Sequence, residues 1–410
     1  MREWFSRLCN FEYSQVKARH LRIIFVIILV VAVLYPMIEV LYSMQPNFTI
    51  FSYFSIADGS TKLPSGTQWL QPIFPQVWLG VALLCICIRC AVIVWGYFSN
   101  KKAFGEEVFA RDFVLYLSSF VIGMLGGVLI LVGIAAIGLS MGFSFGEGMG
   151  FFAAVARQLQ IWIGGLVPTL YSFDSIIIAL GLSILIKNLG GYFVHWLCHY
   201  SRFFWYVFHR CHHTPETLHP LAVPPAFFLE FFMVIPATIA TAAVTKLFYT
   251  EALVMETSLW FMFRYAMEIF NHSASHYEFA YRNPIVRNWC RLAGDTGVYH
   301  LVHHSALKED QMVNLSGAPF NVWDRIFGTY RKPYPTLPKL GLTDTPEIIY
   351  NPLRVMFGGI WRIGYELKVN KSWSARFWIL FGSVSYVPPL TKEFLILGKK
   401  EEPETTPESI

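Results

Sequence analysis

Residues 175–199 read SIIIALGLSILIKNLGGYFVHWLCH, an apolar run with one lysine that closes on His195-x-x-x-His199. Ser175 to about Val194 has the roughly 20 residues a helix needs to cross a bilayer. On a helix, positions i and i+4 share a face. The two imidazoles therefore extend the end of a spanning helix and point the same way. This stretch decides the fold class, because it joins a membrane span to a cluster of metal-binding side chains.

The rest of the chain fits that reading. Of 410 residues, 55% are hydrophobic and only 14% charged, against roughly 25% charge in an ordinary globular domain. Further spans are expected at about 21–44, with Pro36 as a kink, at 74–98, which carries Arg89, and at the Gly-rich stretch 113–139. Two more, 226–248 and 253–270, read as a helical hairpin. A segment at 151–171 is apolar but broken by Arg157, Gly164, Gly165 and Pro168. The expected class is an all-α integral membrane protein, a multi-span helical bundle of about six spans. Its expected divisions are an N-terminal transmembrane region (1–174), a catalytic core (175–331) and a C-terminal cytosolic or membrane-associated tail (332–410). In that tail the apolar stretch near 377–390 is expected to dock on the membrane face, and 399–410 is expected to be disordered.

Charge sets the orientation. Cytoplasmic loops carry the excess of Lys and Arg, which places Arg2, Arg7, Lys17, Arg19 and Arg22 in the cytosol, with the loop from Lys101 to Arg111. The long basic start and the lack of a small-residue cleavage site argue for a retained first span rather than a signal peptide. If 151–171 stays at the outer face as an interfacial or re-entrant piece, the span from Ser175 delivers His195 and His199 to the cytosol. The hairpin then returns the chain there, with Arg282, Arg287 and Arg291. The expected product is a multi-pass protein with its histidine site on the cytosolic face. The net charge of +5 is scattered over loops and ends. No basic stripe is interleaved with exposed aromatics, which excludes a nucleic-acid interface. Seven cysteines at irregular positions do not read as a disulfide framework. Cys85, Cys87 and Cys90 sit in an apolar run, and Cys211 reads as a spacer.

Twelve histidines occur, and eleven of them fall between His195 and His304. His195 and His199 form H-x-x-x-H, as do His272 and His276. His209, His212 and His213 form H-x-x-H-H, as do His300, His303 and His304. Each group is expected to turn its imidazoles to one side, with His272 and His276 extending the hairpin's second helix. Ten imidazoles are too many for one ion and suit two. Imidazole accepts iron, zinc, copper or nickel. Structural zinc would bring C-x-x-C pairs, and soluble di-iron bundles bring Glu-x-x-His; neither is present. Neutral ligands leave the metal charge uncompensated, so carboxylates and polar groups behind them are expected. The candidates are Glu216, Glu268, Asp295 and Asp324, with His219, Asn271 and Asn314. His20 stands alone and reads as an ordinary packed or solvated residue.

The histidine groups, His-Trp-Leu-Cys-His at 195–199, His-Arg-Cys-His-His at 209–213, Asn-His-Ser-Ala-Ser-His at 271–276 and His-Leu-Val-His-His at 300–304, resemble the fatty acid hydroxylase/sterol desaturase superfamily. So does Trp323-Asp-Arg-Ile-Phe-Gly-Thr329. The resemblance covers about 195–330. Asp295-Thr-Gly stands where many members have Thr-Pro, and Val313-Asn-Leu-Ser-Gly317 where Asn-Tyr-Gly is common. The resemblance implies two iron ions, with zinc able to replace iron in isolated protein, held by His195, His199, His209, His212, His213, His272, His276, His300, His303 and His304. It implies O2 as oxidant and electrons from an external donor of cytochrome b5, ferredoxin or reductase type. It implies a lipid or sterol substrate. Hydroxylation of a C–H bond is the leading expectation and desaturation in the same framework the alternative. A histidine-rich metal transporter or sensor is the reading from a different class; a transporter would place its ligands near the bilayer midplane, whereas these sit at helix ends.

Overall fold

The computed structural model describes residues 74–105, 162–219, 240–253, 269–292, 297–317, 319–342 and 352–391, together with 23, 108, 109 and 112. The expected spans at 21–44 and 113–139, most of the hairpin, Glu268, Asp295 and the charged end of the chain lie outside the described residues. Among the described residues the protein is helical, with two isolated β-bridges and no strand.

Helix α1 (Phe74–Phe104) covers the second expected span and runs past it. Helix α2 (Ile176–Tyr200) covers the expected span that begins at Ser175 and the His195-x-x-x-His199 pair at its end. Its 25 residues correspond to about 38 Å, against roughly 30 Å of bilayer hydrocarbon. Among the described residues it is the one helix long and apolar enough to cross a membrane by length and composition. Ile177 and Ile178 are exposed. Its polar Ser183 turns inward and donates to the Ala179 carbonyl at 2.7 Å, the usual way a hydroxyl is accommodated inside a helix. The helix runs on through His195 and His199, as expected. Residues 240–248 are helical too, matching the end of the expected hairpin helix.

At Ser201 the backbone becomes extended and α2 stops. A single turn (Arg202–Phe204) and a π-helical turn (Trp205–His209) follow. The expectation that the histidine groups all ride on ordinary helix faces fails here. It fails again at 272–276, where two 3-10 turns (Ile269–His272 and Ala274–His276) are separated by Ser273 at φ −97°, ψ 68°. That residue is not helical, so His272 and His276 do not share a face. Four short helices complete the core region: α3 (Tyr277–Arg282), α4 (Pro284–Leu292), α5 (Val298–His303) and α6 (Val322–Phe327).

One apolar core joins α1 to the 274–302 region through Val92, Ile93, Tyr97, Leu218, Tyr277, Leu301 and Val302. A second packs the π turn against two C-terminal helices, α7 (Pro352–Val369) and α8 (Trp373–Phe381), through Trp205, Tyr206, Ile363 and Ile379. The region expected as a tail is thus packed against the histidine-bearing segment. Its anchor is ionic. Glu366, fully buried, accepts from Arg202 Nη2 at 2.7 Å and from Arg362 Nε at 2.8 Å. Both guanidiniums also lie over the Tyr206 ring, at 5.1 and 4.7 Å. A buried carboxylate with two partners is costly to break on either side, so Glu366 ties α7 to the turn that leads into the π turn.

Candidate metal centre

Four elements converge on one buried place. From α2 come His195 and His199, from the π turn and the turn after it His209, His212 and His213, from the first 3-10 turn His272, and from α5 and its C-cap His300, His303 and His304. Their ring nitrogens sort into two groups. His195, His199, His209 and His303 form one; His212, His272, His300 and His304 form the other. Within each group one ring nitrogen per residue lies within 4.8 Å of all the others. Each H-x-x-H-H group is therefore divided between the two sets. His300 and His304 are four apart and share a set, while His303, about 100° away around α5, turns to the other. His213 sits between them, its Nε2 3.1 Å from His209 Nε2 and its ring stacked at 4.3 Å on His304.

The spacing of the nitrogens tests whether a metal fits. Nε2 atoms approach at 3.1 Å (His195–His209), 3.2 Å (His199–His303), 3.2 Å (His272–His300) and 3.0 Å (His300–His304). Bonds of about 2.0–2.1 Å from imidazole to a metal put neighbouring ligand nitrogens about 2.9–3.4 Å apart in tetrahedral or octahedral shells. The side chains thus stand at the edge lengths of coordination polyhedra. Protonation agrees. Burial first, and neighbouring imidazoles second, hold His209, His212, His213, His300 and His304 well below the ordinary histidine range. Burial and His195 do the same to His303. Neutral imidazole is the ligand form.

The tautomer is fixed at two positions. His195 Nδ1 donates to the Leu315 carbonyl at 2.9 Å, and His303 Nδ1 donates to the Val313 carbonyl at 2.9 Å. With the proton held on Nδ1, the Nε2 lone pair faces the cluster. The carbonyls are themselves held. Asp324 accepts from the Leu315 N–H at 2.7 Å, the Ser316 N–H at 2.9 Å and the Thr329 hydroxyl at 2.7 Å. Asn314, in the left-handed region at φ 50°, donates to the Tyr299 and Arg331 carbonyls and accepts the Arg331 N–H. Asn271 accepts the N–H of Gly297 at 3.1 Å. Gly297 is the N-cap of α5 at φ 56°, and a Cβ there would stand 2.6 Å from Cys290 Sγ, so only glycine fits. Asp324, Asn314 and Asn271 all support the cluster from behind without entering it.

Other expected residues lie elsewhere. His276 is outside both groups; its ring centroid is 3.7 Å from that of Trp95, and burial lowers it to about 4. His219 faces α1, donating Nε2 to the Ile93 carbonyl at 3.3 Å, and burial lowers it to about 3. Glu216 lies in a turn whose N–H groups, with that of Thr217, are bound by Asp112. Burial raises Asp112 to about 7. Cys211 points its thiol back at the Phe208 carbonyl, as a spacer would. Sequence reading missed Asp112, Glu366 and Asn100, which donates to the Thr217 and Leu218 carbonyls. The available signal was a lone polar side chain inside or beside an apolar helix, which is common and points nowhere by itself.

Residues 180–329 match the family model described as fatty acid hydroxylase. This segment belongs to the fatty acid hydroxylase/sterol desaturase superfamily. No curated protein and no solved structure gave a match. The hydroxylase segment contains both four-histidine groups, Asp324 and Thr329. The family is one of oxidoreductases acting on lipids by hydroxylation or desaturation, and its members use iron; the histidine groups are compatible with such a metal site.

Proposed function

We propose that the protein is a membrane-embedded, two-metal oxygenase that hydroxylates a C–H bond of a lipid or sterol, using O2 and electrons from a separate carrier protein. The observation that carries this is the pair of four-histidine groups standing side by side at the end of a helix with the length and composition of a span. Iron is the metal this reading favours, one ion in each group, with His213 within reach of both. The same reading makes the protein multi-pass, with the site at the cytosolic face.

Aliphatic C–H bonds are not acidic, so side-chain acid–base chemistry does not reach them; a redox metal that activates O2 supplies the needed oxidant when bound. The chain's own residues do the rest. His195 and His303 are locked as Nε2 donors by the Leu315 and Val313 carbonyls. Asp324 keeps one of those carbonyls oriented and places a negative charge behind a wholly neutral ligand set. Six of the nine rings are buried and His195, His209 and His272 are half-buried, which limits the access of bulk water to the reacting atoms. Hydroxylation and desaturation share the first hydrogen abstraction and part at the second step.

The test is a comparison of lipids from cells with and without the protein. A product heavier by about 16 mass units or lighter by about 2, the expectation for added oxygen or lost hydrogen, supports the reading and separates hydroxylase from desaturase. An unchanged lipid profile together with metal flux across vesicles containing the protein overturns it in favour of a transporter.

A further inference from the structure

Helix α8 shows a composition that water does not explain. Its nine residues bury Ala375 and Ile379 and expose Trp373, Ser374, Phe377, Trp378 and Phe381. Trp373 is 83% exposed, Phe377 54% and Phe381 55%. A surface helix of a soluble domain carries polar side chains on its outer face; here four of the five outward residues are aromatic. Val387 and Leu390, just beyond the helix, are exposed as well.

The position of α8 says what covers that face. Its C-terminal end is fastened to the point where α2 ends. Ser201 Oγ donates to the Leu380 carbonyl at 3.1 Å, the Arg202 N–H to the Gly382 carbonyl at 2.9 Å and the Val384 N–H to the Tyr200 carbonyl at 2.8 Å. Ser201 and Ser383 form a β-bridge. If α2 spans the bilayer, Tyr200–Arg202 sits where the span meets water, and α8 is tied to the same depth. Another exposed apolar group lies farther back along α2, beside its middle. In α6, Ile326 and Phe327 are exposed, while the Phe327 ring stacks on Tyr192 of α2 at 5.0 Å. Trp323 Nε1 donates to the Leu185 carbonyl of α2 at 3.0 Å. Exposed apolar side chains thus stand beside α2 on two short helices, α8 at its end and α6 along its middle. Basic residues accompany α8: Lys368 and Lys371, just before it, are exposed, and Arg376, within it, lies near the Trp373 ring at 5.8 Å. Aromatic side chains with a polar edge favour the headgroup boundary, and basic ones favour anionic lipid.

We propose that α8 lies in the plane of the membrane interface, with Trp373, Phe377 and Phe381 in the lipid, and that it holds α7 and the π turn at the membrane surface. The inference rests on the membrane reading of α2. The experiment uses the full chain in vesicles of phosphatidylcholine with about a quarter phosphatidylserine, a composition chosen to supply anionic surface. A nitroxide is placed, through an encoded ketone residue, at Phe377, at Ile178 in the span or at Lys368. Collision with dissolved O2 is compared with collision with a water-soluble nickel chelate. O2 should dominate at Phe377 and Ile178, and the chelate at Lys368. Dominance of the chelate at Phe377, with O2 still dominant at Ile178, overturns the placement of α8 alone. A Phe377 label reached by neither reagent also overturns it, because protein, such as a second copy, then covers the face. Dominance of the chelate at Ile178 overturns the membrane reading itself.

Discussion

Asp324 reaches His195 through one peptide unit: its Oδ2 accepts the Ser316 N–H at 2.9 Å, and the carbonyl of that same peptide, Leu315 O, accepts His195 Nδ1–H at 2.9 Å. A carboxylate hydrogen-bonded to a ligating histidine raises the ligand's basicity and fixes its ring. Here the peptide passes that influence on. Asp324→Asn turns an amide N–H toward one of the two N–H donors it serves. Metal retention against a chelator is expected to fall about 10–100-fold, with the variant still folded by circular dichroism. Unchanged retention would remove Asp324 from the support of the site.

Gly359 in α7 packs on the π turn so closely that a Cβ would stand 1.7 Å from the Tyr206 carbonyl oxygen. Tyr206 is three residues from His209. Gly359→Ala must push α7 away, at about 1–3 kcal/mol, and release the turn that aims His209. Thermal unfolding should occur at lower temperature, and bound metal should fall. Gly364→Ala, with nothing within 4 Å of its Cβ, is the matched control and should lose neither.

The two histidines of 271–276 should separate in a metal assay. His272→Ala removes a member of the second group, so about one ion per chain should be lost, as expected where one of four ligands goes. His276, turned to Trp95, should leave the count unchanged when replaced by alanine. Equal losses would return His276 to the ligand set that the sequence implies.

Acid should destabilise the metal-free protein. His219 titrates at about 3 in the folded chain and at about 6.5 when unfolded. Between these values the unfolded chain binds a proton that the folded chain does not, so stability falls as pH drops from 6.5 toward 3. The slope is at most about 1.4 kcal/mol per pH unit for each such histidine. The lowered histidines of the cluster act in the same direction. Denaturation midpoints at pH 7.5 and pH 5 check the sign, and His219→Gln should flatten the dependence. A midpoint that rises in acid would contradict it.

The site was legible because its chemistry is written locally. Spacing at 195/199 placed two imidazoles on a helix that does continue through them. Spacing alone did not show how 209/212/213 and 300/303/304 divide between two groups, because that depends on a π turn and on how α5 is rotated against α2. The 272/276 pair misled for a related reason. Ser273 breaks the helix, and a single serine in such a run gives no such warning. The role of residues 352–391 was hidden as well. The pairing of Glu366 with Arg202 spans 164 residues, a tertiary fact with no local signature.

Hydroxylation can be read out by exposing the iron-loaded chain in lipid vesicles to 18O2 with a chemical or protein electron donor and analysing the lipids. 18O is expected in a lipid hydroxyl, dependent on both iron and donor and abolished in His303→Ala. Protein that holds its metal pair, accepts electrons and leaves every lipid without 18O would contradict hydroxylation. If no lipid has lost hydrogen either, the oxygenase account as a whole is contradicted.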